Sequence, residues 1–141
     1  LMDFNFESLT KNPAAELKIL NIQWKRIRYL SKIPETQFKI ENIKYFPIGS
    51  QITLEKKNNA NRVNFEVTNN SSYSFWETFF KVILYQNDKI VGVNIIPAKQ
   101  FLSKEKRFLS TSWTNFLPFI TKTFIEPETD VLNFKNLMPI K

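Results

Sequence analysis

Val63-Asn64-Phe65-Glu66-Val67 alternates apolar and polar side chains, and the Asn69-Asn70-Ser71-Ser72 corner closes it. A second such run follows, Phe80-Lys81-Val82-Ile83-Leu84-Tyr85, then the tight turn Gln86-Asn87-Asp88-Lys89 and a return, Ile90-Val91-Gly92-Val93. Successive side chains on a strand point to opposite faces, so a period of two marks a strand with one face in a core. Strand, corner, strand, turn, strand commits this part of the chain to antiparallel sheet. It contains no reactive constellation.

The same reading extends along the rest of the chain. Residues 38–45 form a strand whose phase slips between Ile40 and Ile43, which predicts a β-bulge at Glu41-Asn42. Pro47 and Gly49 turn it, and residues 51–55 continue extended. Residues 62–68 point Val63, Phe65 and Val67 inward and Asn64, Glu66 and Thr68 outward. Residues 76–85 carry Phe80, Val82 and Leu84 on one face and Phe79, Ile83 and Tyr85 on the other. Apolar character on both faces predicts a mid-sheet strand with something packed on each side. Residues 90–96 complete the hairpin and Pro97 ends it; residues 106–113 and 122–126 are the last strands, with Pro118 between and Pro127 after. The expected shared interior is Val63, Phe65, Val67, Phe80, Val82, Leu84, Val93 and Trp113.

Only 2 glycines serve 141 residues, so Asn takes over the turn positions that need a left-handed backbone, at residues 57–61, 69–70 and 87–88. The 14 Phe, 3 Trp and 4 Tyr supply enough apolar area for a core. Six or seven short strands separated by turn signals predict an all-β, antiparallel, immunoglobulin-like β-sandwich of about seven strands. A Cys-Trp-Cys framework is absent, which excludes an antibody-type domain.

Residues 67–72 and 80–92 together resemble the FxLYD-type immunoglobulin-like domains of bacterial envelope proteins. The shared features are the Asn-rich corner, the aromatic strand ending in Leu84-Tyr85 and Gly92 in the return strand; Gln86 stands where the motif has Asp. The stretch Phe101-Leu102-Ser103-Lys104-Glu105-Lys106-Arg107-Phe108, followed by Trp113, is similar to the polar loop and final strands of those domains. The resemblance covers roughly residues 38–128. It implies a non-catalytic, extracytoplasmic module of the cell envelope, held by an anchor outside this window, that scaffolds or binds a protein partner or a neighbouring module of the same chain.

Three segments are expected: an extension at residues 1–33, the sandwich at 34–130 and a tail at 131–141 that is frayed or docked. In the extension, Asn12 and Pro13 fit the start of a short helix. Leu20, Ile22 and Trp24 then alternate as on a strand, while Leu17, Leu20, Trp24 and Ile27 fit one helix face. The β character of everything downstream favours the strand. By the same resemblance, this extension is the closing strand of an upstream module or a linker.

With 0 His and 0 Cys the chain lacks the commonest general base, thiolate nucleophiles, disulfides and the usual zinc ligands. Neither an enzyme nor a cofactor is expected. Glu126, Glu128 and Asp130 form the densest acidic cluster, but a calcium loop's glycine is missing and Pro127 interrupts it. Twenty Lys+Arg against 13 Asp+Glu leave a net charge of +7. The candidate binding residues are Lys25, Arg26 and Arg28, beside Trp24 and Tyr29, and Lys104, Lys106 and Arg107. They raise an alternative reading, a basic module for an anionic surface such as lipid headgroups, cell-wall polymer or nucleic acid. A plain solvated surface explains the same charge, and no nucleic-acid-binding motif is present, so nucleic acid is the weakest of these partners. No apolar run approaches the roughly 20 residues of a membrane span.

Overall fold

The structure, a computed structural model, describes residues 35–50, 59–115, 117 and 119–139. The expectations for residues 1–33 and 51–55, including Lys25, Arg26 and Arg28, lie outside these residues. Six strands occur among the described residues: β1 (Phe38–Phe46), β2 (Asn61–Asn69), β3 (Phe75–Gln86), β4 (Lys89–Phe101), β5 (Lys106–Trp113) and β6 (Lys122–Glu128). They form two antiparallel three-stranded sheets, ordered β1-β2-β5 and β4-β3-β6. One core joins the sheets, drawing Val63, Phe65, Val67 and Leu109 from the first and Phe80, Val82, Leu84, Ala98, Phe101 and Ile125 from the second. At the margins β1 lies against β6 and β5 against β4. The result is a sandwich-like all-β fold.

Phe80 is at the centre of the aromatic packing. Its ring meets Phe38, Phe65 and Phe101 edge-on at centroid distances of 5.7, 6.1 and 6.2 Å, while Phe38 stacks on Phe101 at 5.9 Å. Edge-to-face pairs set the positive ring edge against the negative ring face, which adds to the gain from burial. The bulge in β1 falls where the phase slip placed it: the register shifts between Glu41 and Lys44, with Asn42 at φ 54°. Pro47 and Gly49 turn the chain as expected, with Gly49 at φ 81° and the Ser50 amide donating to the Pro47 carbonyl. Asn87 takes φ 53° in the two-residue turn between β3 and β4.

Two prolines read as strand ends lie inside strands. Pro97 pairs with Phe79 within β4, and Pro127 pairs with Phe80 within β6. Among the described strands both are sheet edges with a neighbour on one side only, so a missing N–H on the open side costs no ladder bond. Val93 is a second correction. It stands opposite Ile83, 49% exposed on the outer face, because directly paired residues share a face and Ile83 points outward. Val91 packs on the core instead. Trp113 is partly buried against the core, and its Nε1 donates to the Val93 carbonyl at 3.3 Å. Gly92 leaves that space open, since a Cβ there would stand 3.2 Å from Leu84 Cδ1 and 3.4 Å from Trp113 Nε1.

Strand β2 is bracketed by two buried asparagines. At one end the Asn69 amide donates to the Tyr73 and Leu102 carbonyls at 2.9 and 3.0 Å, while its Oδ1 accepts from the Ser71 amide at 3.0 Å. At the other end Asn61 Oδ1 accepts from the Tyr45 hydroxyl and the Ile48 amide, and its Nδ2 donates to the Asn115 carbonyl. Residues 131–139 of the tail are docked rather than frayed. The Asn136 side chain pairs with both the amide and the carbonyl of Glu77, and the Met138 amide donates to the Ser74 carbonyl. These contacts occupy the part of β3 that β6 does not reach.

Replacing Phe80 with Ala is expected to cost about 3–5 kcal/mol in urea unfolding, whereas Val93→Ala stays within about 1 kcal/mol, because only Phe80 leaves a cavity. Equal losses at the two positions would refute this register. Asn69→Ala orphans an amide and two carbonyls, so its loss is about 1–3 kcal/mol. Asn69→Asp is expected to lose at least as much, since a carboxylate oxygen would then face two carbonyl oxygens.

Candidate functional site

The two outer faces of the sandwich differ in chemistry. On the β1-β2-β5 sheet, the outward residues of β2 and β5 pair as Arg62 with Ser112, Asn64 with Ser110, Glu66 with Phe108 and Thr68 with Lys106. Ser110 donates to Asn64 Oδ1 at 2.8 Å, and Glu66 accepts from Lys106 and Asn42, each at 2.6 Å. Phe108 is the one apolar side chain among these eight.

The β4-β3-β6 sheet is apolar outside as well as inside. Cross-strand rows run Pro97–Phe79–Glu128, Ile95–Lys81–Glu126, Val93–Ile83–Phe124 and Ile90–Tyr85–Lys122. Ile95, Val93, Phe124 and Ile90 are 44%, 49%, 45% and 57% exposed. Phe79, Ile83 and Tyr85, on the central strand, are half-buried. The β6 side carries the charge: the Lys81 ammonium is 3.1 Å from Glu126 and 3.8 Å from Glu128, and Lys122 sits 5.9 Å from the centre of the Tyr85 ring. At a strand spacing of about 4.8 Å and a rise of about 3.3 Å per residue, this face has a footprint of roughly 200–300 Å². It offers an apolar surface interrupted by Lys81 and bordered by Lys122, Glu126 and Glu128 on β6 and by the Glu77–Lys99 pair on β3 and β4.

The double apolar character of β3 was legible in the sequence, and its mid-sheet position is as expected. The packing expected on its outer side is not there among the described strands. The face itself escaped the sequence reading because Ile95 and Phe124 belong to it only through the register with β3.

Lys104, Lys106 and Arg107 are brought together on the β4–β5 loop and the start of β5, and each has an intramolecular partner. Lys104 Nζ donates to the Asn70 carbonyl at 2.7 Å. Lys106 is paired with Glu66. Arg107 lies 5.0 Å over the Phe101 ring, donates to the carbonyls of Lys99 and Gln100 at 2.8 and 3.1 Å, and pairs with Glu105. Asp130 accepts from the amides of Leu132 and Asn133, and Glu126 and Glu128 share Lys81, so the acidic residues are engaged locally too. Among the described residues no three acidic side chains converge as a metal site.

Comparison with known proteins finds no matching family model, no similar curated protein and no similar solved structure.

The hydrogen bonds from Lys106 and then Asn42 hold the Glu66 carboxyl below its ordinary pKa, and the bond to Glu66 raises that of Lys106. A depressed carboxylate stabilises the fold above its unfolded pKa and loses that effect as pH falls through the folded value. A raised lysine contributes below its unfolded pKa and loses it as pH rises through the folded value. The pair therefore contributes across the neutral range and fades at both extremes. Glu66→Gln is expected to flatten both limbs of the melting temperature against pH; an unchanged acid limb would refute the assignment.

Proposed function

We propose that this chain is a non-catalytic protein-interaction module of immunoglobulin-like architecture whose contact surface is the apolar outer face of the β4-β3-β6 sheet. The observation that carries the reading is the contrast between the two outer faces: on one, the β2–β5 pairs are polar but for Phe108, and on the other apolar side chains of β4, β3 and Phe124 lie together around Lys81. Apolar side chains gathered on one face favour a contact there, because each exposed apolar Å² forgoes roughly 25 cal/mol of burial. The absence of His and Cys from the whole sequence supports a role without nucleophilic or acid–base chemistry. Placement outside the cytoplasm, in a bacterial cell envelope, rests on the resemblance of residues 67–72 and 80–92 to FxLYD-type domains. The alternative, a basic module for anionic surfaces, draws on the net charge of +7. It has less support, since Lys104, Lys106 and Arg107 already have partners within the fold.

The test compares three proteins of all 141 residues as bait for envelope proteins of the source cells: the parent, Val93→Lys/Ile95→Lys, and Asn64→Lys/Ser110→Lys on the opposite face. A partner bound by the parent and the opposite-face variant, and lost at Val93/Ile95 with the melting temperature kept, is the expected outcome. Capture that is indifferent to the apolar face but falls steeply with salt would instead favour the anionic-surface reading.

A further inference from the structure

We propose that the end of the sandwich that carries Ile48, Lys89 and Phe119 docks on an anionic lipid surface. This contact is separate from the face proposed above and does not rest on it.

Hydrogen bonds gather the loops at this end. Asn61 accepts from the Ile48 amide and donates to the Asn115 carbonyl, which ties the turn after β1 to the chain after β5. The Thr121 amide donates to the Tyr85 carbonyl, and Thr121 Oγ1 accepts from the Asn87 amide, which ties the lead into β6 to the β3–β4 turn. Two apolar tips project from this frame. Phe119, at 80%, is the most exposed large apolar side chain among the described residues. Leu117 and Ile120, on either side of it, pack against the core, so the backbone holds Phe119 outward. Ile48 is exposed too, with its amide fixed by Asn61 and Gly49 turning the chain at φ 81° beyond it. Ile90, also exposed, stands where the outer face of β4 reaches the same end. In the headgroup layer of a bilayer such side chains leave water without needing a shaped pocket.

The charge at this end has one dominant sign. Arg62 near the start of β2, Lys89 at the start of β4 and Lys122 at the start of β6 face a single carboxylate among the described residues there, Asp88. The ion pairs among the described residues use Lys39, Lys81, Lys106 and Arg107, so Arg62 and Lys89 have no acidic partner. Lys122 lies over the Tyr85 ring. At the opposite end Lys104, Lys106 and Lys135 stand among Glu35, Glu105, Glu128 and Asp130, and the first two are already bonded within the fold.

Unpaired cations beside projecting apolar side chains match the two contributions that hold a protein on a lipid surface: apolar burial and attraction to acidic headgroups. Single-stranded nucleic acid fits less well, because Ile48 and Ile90 have no ring to stack on a base.

The 141-residue protein is sedimented with vesicles of phosphatidylcholine alone, or of phosphatidylcholine mixed with phosphatidylglycerol. Binding to the mixed vesicles only, weakening as salt is added, is the expected result. Each cation near such a surface contributes about fivefold, so Arg62→Gln/Lys89→Gln is expected to bind roughly 20–30-fold more weakly. Lys99→Gln/Lys135→Gln makes the same change in net charge at the other end and is expected to stay within about twofold of the parent. Phe119→Ser is expected to lose roughly tenfold, with the melting temperature kept. Because the chain has 0 Cys, Ile48→Cys supplies a single thiol for an environment-sensitive fluorophore. Its emission is expected to shift to the blue on mixed vesicles, and that of the same label at Leu102→Cys, on the opposite end, to stay. Failure to sediment with either vesicle overturns the proposal. So do equal losses in the two double variants, which assign the attraction to overall charge, and equal fluorophore shifts at the two ends. Vesicle binding that Phe119→Ser leaves intact, together with tighter retention of a single-stranded oligonucleotide, overturns the lipid in favour of nucleic acid.

Discussion

The buried amide of Asn69 ties together the chain segments that meet at one end of the sandwich. Its Nδ2 reaches into the loop after β2 at Tyr73 and the loop after β4 at Leu102, while its Oδ1 holds the Ser71 amide. Around it, the Asn69 amide donates to the Glu105 carbonyl, the Lys104 amide donates to the Asn69 carbonyl, and Ser103 Oγ donates to the Ser71 carbonyl. The β4–β5 loop carries the chain from one sheet to the other, so this knot sets how the two sheets stand across the core. A fully buried primary amide is stable only when its donors and acceptor are matched, and here they are. Asn61 does the same work at the opposite end of β2.

That frame brings the ring of Phe38 against Phe75, Phe80 and Phe101. Phe101 turns inward after Gln100, which takes φ 50° and breaks the alternation at the end of β4. Arg107 covers the outer side of Phe101 and holds the carbonyls of Lys99 and Gln100. The basic residues of this loop thus serve the junction between the sheets, where a planar guanidinium both stacks and donates.

Among the described residues each sheet has three strands, which leaves edge strands on both sides of each. Pro97 and Pro127 stand on the two edge strands of one sheet, where a missing donor blunts unwanted strand pairing. The polar β2–β5 pairs of the other sheet satisfy one another, and the exposed apolar exceptions on that sheet are Phe108 and, on β1, Ile43. Ile90, Val93, Ile95 and Phe124 are exposed together on the outside of β3 and its neighbours. The contact surface proposed above is placed there for that reason.

Alternation by itself determined β2 and β3, because a period of two is a local property and Val63, Phe65, Val67, Phe80, Val82 and Leu84 each point where their own neighbours send them. Local chemistry also determined the bulge at Asn42 and the turns at Gly49 and Asn87, where the backbone must visit positive φ. What local pattern could not determine was anything set by a partner strand. Val93 follows Ile83 outward through pairing, Pro97 and Pro127 are tolerated because of which strands are edges, and Asn69 is a clamp because two distant loops converge on it. The apolar face belongs to this last group. Ile95 and Phe124 are far apart in sequence, and only the register of β3 with both its neighbours makes them one surface.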